Sequence, residues 1–520
     1  LKNTAMRRAP RRLSPASRMG GLASAVCLSA IGFDQAEAQA VADASSATTP
    51  SASAGAAPGT QTASAPAAPA RALPPSLHQG QKAGGFQTLR ANDSFPIPAA
   101  ANAPWDERLK HVPLSADGQI WVTFSGEERM LMQNFNRPSI GTASPALASL
   151  SFQFRHQYGA DLHLGERLRV FGQIVSGQVT GDNYVSPVFG RQQNALELGQ
   201  AFVEYSRPLY NGRAGVRVGR QQTHLGSGQL ISAQPIHNIE RNFDGVRAYY
   251  AAKAFRFDAF AYRPLVHERG AFDDTVDDTT AIWGAYGAFA LPRRQHVALN
   301  FDAYYVGYRD EESALLKATS VQDISSFGVR LYGSIHGAQI DANLIQQTGD
   351  VGPKTIDAWA MVNSIRYPVP GAPRNLTLHL VSNVASGGSR EGDVIHTFDP
   401  LYSVQRHANF ASSIGFTNFV DVGGGFTFDA TDKLELGASL RAFWRYSIED
   451  GYSLGYQTAV NNRKTDARFI GLLPGVAANY NLNKHVSVKG SISPLLASDG
   501  YKAIGEDGMK SYQLELLYIW

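Results

Sequence analysis

The sequence predicts an all-β protein, a transmembrane antiparallel β-barrel of about 18 strands with short periplasmic turns and long extracellular loops. The closing stretch alternates: Tyr512, Leu514, Leu516, Tyr518 and Trp520 fall on one face, Gln513 and Glu515 on the other. Such a strand suits lipid on one side and water on the other. From Ile120 onward, alternating runs of about 9 to 14 residues are separated by gaps that switch between short and long. Charged residues make up only 18% of the chain, and its 50 glycines and 21 tyrosines favour strands and turns. No window holds the roughly 18 uninterrupted apolar residues of a spanning helix. A chain of this kind crosses a membrane only as a closed sheet, which satisfies every backbone polar group in hydrocarbon.

Residues 1–38 read as a signal peptide. Arg7, Arg8, Arg11, Arg12 and Arg18 precede an apolar run from Leu22 to Phe33, and Ala36-Glu37-Ala38 offers a cleavage site. The arginines contribute only if translation starts before Met19. Cys27, the single cysteine, lies in the apolar run after Val26, a poor fit to a lipoprotein site, so the processed chain is expected to have no disulfide. Processing moves the balance from 47 basic and 44 acidic residues to 41 and 42, which argues against nucleic-acid binding.

Residues 39–75, mostly Ala, Ser, Pro, Thr and Gly, bury too little apolar surface to order and read as a disordered linker. Residues 76–119 are a periplasmic N-terminal segment, either a short cap or the approach to the first strand. Residues 120–520 form the barrel. Short gaps fall near Gly165, Asn211, Lys253, Arg293, Gly337, Pro368 to Pro373, Asp432 and Asn483. Between them lie long gaps, as from Met132 to Ser149, Gln221 to Glu240, His267 to Thr279, Ser386 to Ser412 and Glu449 to Ala467. In Leu434 to Arg445, Leu436, Ala438, Leu440, Ala442 and Trp444 share a face opposite Glu435, Ser439, Arg441 and Arg445. A soluble β-sandwich also alternates, but its turns do not sort by length in this way.

With the apolar face toward lipid, the lumen receives Arg129, Arg155, Arg169, Arg217, Arg247, Arg256, Arg330, Arg441, Arg445 and Lys489, together with Glu127, Glu204, Asp258, Asp302, Asp341, Glu435 and Glu515. The expected interior is charged, water-filled and modestly basic. Arginine's planar fork grips carboxylates at any physiological pH, and basic rings select anions in pores. The same residues also serve to brace a barrel through lumen salt bridges.

Gly215-Val216-Arg217-Val218-Gly219-Arg220-Gln221-Gln222, followed by Arg241-Asn242-Phe243-Asp244-Gly245-Val246-Arg247, resembles the paired motif of the alginate-export family of outer-membrane barrels. Ala385-Ser386-Gly387-Gly388 and Thr397-Phe398-Asp399-Pro400-Leu401-Tyr402 are similar to a later loop of that family, and Gln200-Ala201-Phe202-Val203-Glu204 fits the strand before the first motif. The family's acidic residue after Ala-Ser-Gly is missing, with Glu391 and Asp393 arriving only later. The resemblance implies a monomeric eighteen-stranded barrel in the outer membrane of a Gram-negative bacterium. It also implies passive export of an anionic, alginate-like polysaccharide through an arginine-lined pore. Expected partners are outer-membrane lipid, lipopolysaccharide, the anionic polymer and any periplasmic export protein that delivers it.

The alternatives are an uptake porin for small organic anions or sugars, and a barrel enzyme. Neither Gly226-Ser227-Gly228 nor Gly387-Gly388-Ser389 forms a nucleophile elbow with histidine and acid partners, so no catalytic residue is assigned. The acidic run Asp273 to Asp278 lacks a calcium loop's spacing and reads as solvated. His224, His237, His267, His396 and His407 fall in loops without metal-ligand spacing and read as surface residues. No metal or cofactor is expected.

Overall fold

The computed structural model describes residues 85–520, except 88, 94, 96–102, 137–147, 182–189, 314, 316–318, 390, 405–414, 455–456, 461–464 and 505–507. The leader and linker expected over residues 1–75 lie outside the described residues. Eighteen long strands form the wall. They are β1 (Ile120–Asn136), β2 (Ala148–Leu164), β3 (Leu168–Gly181), β4 (Asn194–Leu209), β5 (Gly212–Gln221), β6 (Phe243–Ala252), β7 (Phe255–Val266), β8 (Thr280–Ala290) and β9 (Val297–Ser313). They continue with β10 (Ser320–Ile335), β11 (Ala338–Val351), β12 (Lys354–Pro368), β13 (Thr377–Ala385), β14 (Phe419–Thr431), β15 (Leu434–Arg445), β16 (Phe469–Asn481), β17 (Val486–Ile492) and β18 (Lys510–Ile519).

Each strand pairs antiparallel with the next. The sheet then closes on itself, β1 with β18, from Glu127 opposite Ile519 to Asn136 opposite Lys510. Closure leaves no wall strand with an unpaired edge, the condition for a sheet that faces hydrocarbon. Both ends of the wall meet at one rim, here the inner rim, and all eight short gaps anticipated above are turns there. The long connections rise from the opposite, outer rim. One exception is the two-residue turn Gly352-Pro353 between β11 and β12, where Gly352 has φ +54°. The Val351-Gly352-Pro353-Lys354 sequence suits a tight reversal, since glycine supplies the left-handed residue and proline a fixed φ.

The alternation sorts the faces. Leu440, Phe426, Phe327, Val329, Leu344, Val476, Leu514 and Leu516 are exposed on the outer face. Arg129, Arg155, Arg217, Arg330, Arg441 and Glu515 are buried on the inner one. Aromatic rings on the outer face lie across glycines of neighbouring strands: a Cβ on Gly126 would overlap the ring of Trp520, and one on Gly307 the ring of Trp283. Glycine there lets a large ring lie flat on the sheet.

Two sets of residues enter the cylinder. The outer half is filled by an apolar core that unites wall residues Phe260, Ile282, Tyr286, Val306 and Ile324 with Leu225, Leu230 and Ile231 of the β5–β6 loop. Phe398 and Phe416 of the β13–β14 loop join the same core. The expectation of a water-filled interior is therefore corrected for the outer half, where two loops carry enough apolar side chains to fold inward. At the inner rim, a short helix at Trp105–Arg108 and the pair Val112–Pro113, which bonds to Trp121 and Val122 of β1, are fastened to the wall.

Candidate functional site in the barrel lumen

The strand registers align the lumen charges into a belt. Arg169 on β3 lies opposite Glu204 on β4, Glu204 opposite Arg217 on β5, and Arg217 opposite Arg247 on β6. Arg217 Nε donates to Glu204 at 2.7 Å, Arg247 Nε to Asp258 at 2.7 Å, and Arg256 Nε to the other oxygen of Asp258 at 2.7 Å. The belt continues through Tyr286, whose hydroxyl donates to Asp302 at 2.6 Å. From there it passes to Arg330, which bonds Asp302 at 3.3 Å and Asp341 at 2.6 Å.

The other anticipated residues are held as firmly. Arg129 donates to Glu515 at 2.7 Å, and Lys489 lies 3.6 Å from the same carboxylate. Arg155 bonds Glu127 at 2.9 Å and approaches Glu240 at 3.4 Å. Arg169 bonds Asp161 at 2.7 Å and Arg441 bonds Asp421 at 2.9 Å. Arg445 has a different role: its guanidinium donates to the carbonyls of Thr465 at 2.6 Å and Ala467 at 2.7 Å and pins the loop after β15.

Each of the ten anticipated basic residues thus has an acceptor within the barrel. Asp161, Asp421 and Glu240 are partners that sequence reasoning missed. Asp161 shares the parity of Arg155 and was findable by counting along β2. Asp421 precedes Gly423-Gly424-Gly425, where the alternation carries no polarity signal, and Glu240 sits in a loop.

One stretch of the belt encloses space. A cavity of about 560 Å³ opens in the inner half beside the turns at Asn211 and Lys253. Six basic residues line it, Arg169, Arg213, Arg217, Arg247, Lys253 and Arg256, against three acidic ones, Asp93, Asp161 and Glu204. Aromatic faces sit beneath the charges: the Arg217 guanidinium lies 4.0 Å from the Phe202 ring centre, and that of Arg256 4.8 Å from Tyr249. Charge that is fixed, dense and backed by flat apolar rings suits a ligand with carboxylates and a stackable ring.

Above the cavity the two infolded loops meet. Tyr402 N donates to Leu230 O, Ser232 N to Tyr402 O and Val404 N to Gly228 O, each at 2.9 Å. Arg129 and Arg155 donate to the carbonyl of His237, at 3.4 and 3.0 Å, and so tie the β5–β6 loop to β1 and β2.

Three of the loop histidines differ from expectation, and His379 on β13 is buried as well. His237 and His267 are buried and His224 is half-buried against the cavity, rather than on the surface. Burial, with the Arg330 charge nearby, pushes His224 down to about 4, and burial also lowers His267, which meets Asp274 at 2.6 Å. His396 is exposed as expected, and His407 lies outside the described residues. The acidic loop is only partly solvated. Asp274 is enclosed, and its carboxylate, with those of Glu197 and Asp273, forms a group whose oxygens lie within 4.8 Å of one another. Glu197 is already engaged by Arg220 at 3.2 Å.

A closed eighteen-strand barrel with an apolar outer band and a charged interior is a porin-like channel of the Gram-negative outer membrane. A family model described as Alginate export matches residues 120–507, and the chain belongs to that family. Among solved structures, Pseudomonas aeruginosa OccD3 (OpdP) is similar with a TM-score of 0.50 at 12% identity, over 79% of this chain and 93% of that one. Pseudomonas aeruginosa OpdK, solved with vanillate, has a TM-score of 0.49 at 11% identity, over 76% of this chain and 98% of that one. Likeness at such identity speaks to the fold alone. No curated protein matches the sequence.

Proposed function

We propose that the protein is a passive outer-membrane channel for an anionic polysaccharide of the alginate kind, acting as a single barrel without chemistry of its own. The observation that carries this reading is the basic excess around the inner-half cavity, where six cations meet three carboxylates. A uronate polymer presents one carboxylate per sugar ring. The guanidinium forks of Arg217, Arg247 and Arg256 offer successive donor sites for carboxylates, and Tyr249 offers a face for a ring between them. Each fork is shared with Glu204 or Asp258, so each hold on a passing carboxylate is weak. A polymer must bind well enough to enter and loosely enough to leave.

A second reading, an uptake porin for small organic anions or sugars, draws on the packed outer half, where the joined loops fill much of the cylinder. Planar-bilayer recordings on the purified full chain separate the two. Anion selectivity with current blocked by long polyuronate and not by monomeric uronate fits export. Passage of monomeric uronate without block by the polymer fits uptake. Cation selectivity would defeat both. Arg217→Ala with Arg247→Ala should lower both anion selectivity and polyuronate block.

A further inference from the structure

The family match begins at residue 120, yet the described residues before it include a compact piece that enters the lumen. The 3-10 turn Arg90–Asn92, with Leu89 and Asp93, forms one wall of the arginine cavity. Ala91 packs in one cluster with Phe171 and Phe202, and its carbonyl accepts from Arg169, the guanidinium that also holds Asp161 and comes within 3.9 Å of Glu204. The chain just after it is fastened differently. Phe124 N bonds Leu109 O at 2.9 Å and Thr123 Oγ1 bonds Lys110 O at 2.6 Å. Asp106 lies 3.3 Å from Lys484 and 2.9 Å from His485 on the turn between β16 and β17. The later part is thus stitched to the rim, while the turn at Arg90–Asn92 hangs into the lumen from it.

That insertion is electrostatically costly. Arg90, Asp93 and Lys110 are all buried, Arg90 paired with Asp93 at 3.2 Å and Lys110 capped by the Phe124 carbonyl at 2.8 Å. Burial pushes the Asp93 carboxyl up and the Lys110 amine down to about 8. Desolvating three charges offsets much of what the apolar contacts contribute.

We propose that residues Gly85–Asp93 are an autoinhibitory wedge closing the inner side of the arginine cavity, and that a uronate carboxylate releases it by taking Arg169 from the Ala91 carbonyl. This rests on the reading of the channel as a path for anionic carbohydrate. A carbonyl offers the Arg169 guanidinium a neutral acceptor, whereas a carboxylate adds an opposite charge and a second oxygen that matches the planar fork. The exchange also returns Arg90 and Asp93 to water. The ligand therefore binds the open state better than the closed one, the requirement for shifting the balance between them.

The test uses the full chain and a variant lacking residues 85–93, both checked for heat-modifiable migration, with Leu89→Asp/Ala91→Asp as a second way to undock the wedge without deletion. Single-channel conductance should rise severalfold in both variants; conductance equal to that of the intact chain would overturn the wedge. In the intact chain, a short oligouronate should accelerate tryptic cleavage after the buried Arg90 severalfold, read by mass spectrometry, while a neutral oligosaccharide of the same length should not. If Arg90 stays protected while oligouronate still blocks current through the deletion variant, displacement is wrong and the channel reading stands. If oligouronate blocks neither form, the channel reading fails and carboxylate release fails with it.

Discussion

The amide of Tyr402 donates to the carbonyl of Leu230 at 2.9 Å, so two loops that leave the wall at β5 and β13 are joined by main-chain bonds inside the cylinder. Side chains reinforce the junction: the Arg241 guanidinium lies 4.5 Å from the Tyr402 ring centre, and Gln234 donates to the Ser403 carbonyl at 2.7 Å. The infolded part is therefore one body with two roots.

Ile231 sits fully buried in that body and pairs in a parallel bridge with Tyr402. Ile231→Asp places a carboxylate among apolar neighbours, at a cost to loop insertion of about 3 kcal/mol. Larger and noisier single-channel conductance is expected, with heat-modifiable migration retained because the wall strands are untouched.

Arg441 neutralises Asp421, whose side chain is fully buried. Arg441→Ala leaves that carboxylate uncompensated, a local loss of about 3 kcal/mol, and should shift the reversal potential toward cations. Adding Asp421→Asn should restore the reversal potential. Arg445→Ala should instead leave selectivity unchanged and speed proteolysis between residues 446 and 468, because Arg445 holds carbonyls rather than a carboxylate.

Leu440 is half exposed on the outer face midway along β15. Leu440→Arg puts a charge into hydrocarbon at a cost of about 2 to 4 kcal/mol and should reduce the folded fraction seen as heat-modifiable migration in lipid vesicles. Normal assembly would mean that the two faces of β15 are assigned the wrong way round.

His224 sets a pH dependence for the inserted β5–β6 loop. Its ring bonds Ser232 Oγ at 3.1 Å and faces the Arg330 guanidinium, and burial holds its pKa at about 4 against an ordinary 6.5. The released loop binds a proton at 6.5 and the inserted loop resists until about 4, so the released state holds more protons between those values. Insertion is at full strength above pH 6.5 and weakens progressively on acidification to pH 4. Limited proteolysis within residues 222–242 should accelerate over that window, and His224→Gln should remove the His224-linked part of the trend.

The wall was legible because each strand repeats a period of two. Leu434 to Arg445 can be assigned face by face from its letters, and the inner turns announce themselves in pairs such as Asp432-Lys433 and His336-Gly337. What fills the wall was not legible. Leu225, Leu230, Ile231, Phe398 and Phe416 are scattered through loops without periodicity, and nothing local tells an apolar loop residue that it will meet Ile282 or Val306 across the cylinder. The arginines were found and their bracing partners only in part, since ion pairing depends on register between strands, which sequence alternation leaves undetermined. The histidines failed for the same reason: a loop reads as surface until it is seen to turn inward.

The seam between β1 and β18 has a consequence for biogenesis. The first wall strand gains its second neighbour only when the final one arrives, so throughout synthesis and transit the growing sheet presents two open rows of amide and carbonyl groups, at Ile120–Asn136 and at whichever strand was made last. Such a ribbon invites pairing with its own kind. The molecule must therefore be shielded on its way to the bilayer, and Gly126, covered by the ring of Trp520, marks where the two ends meet.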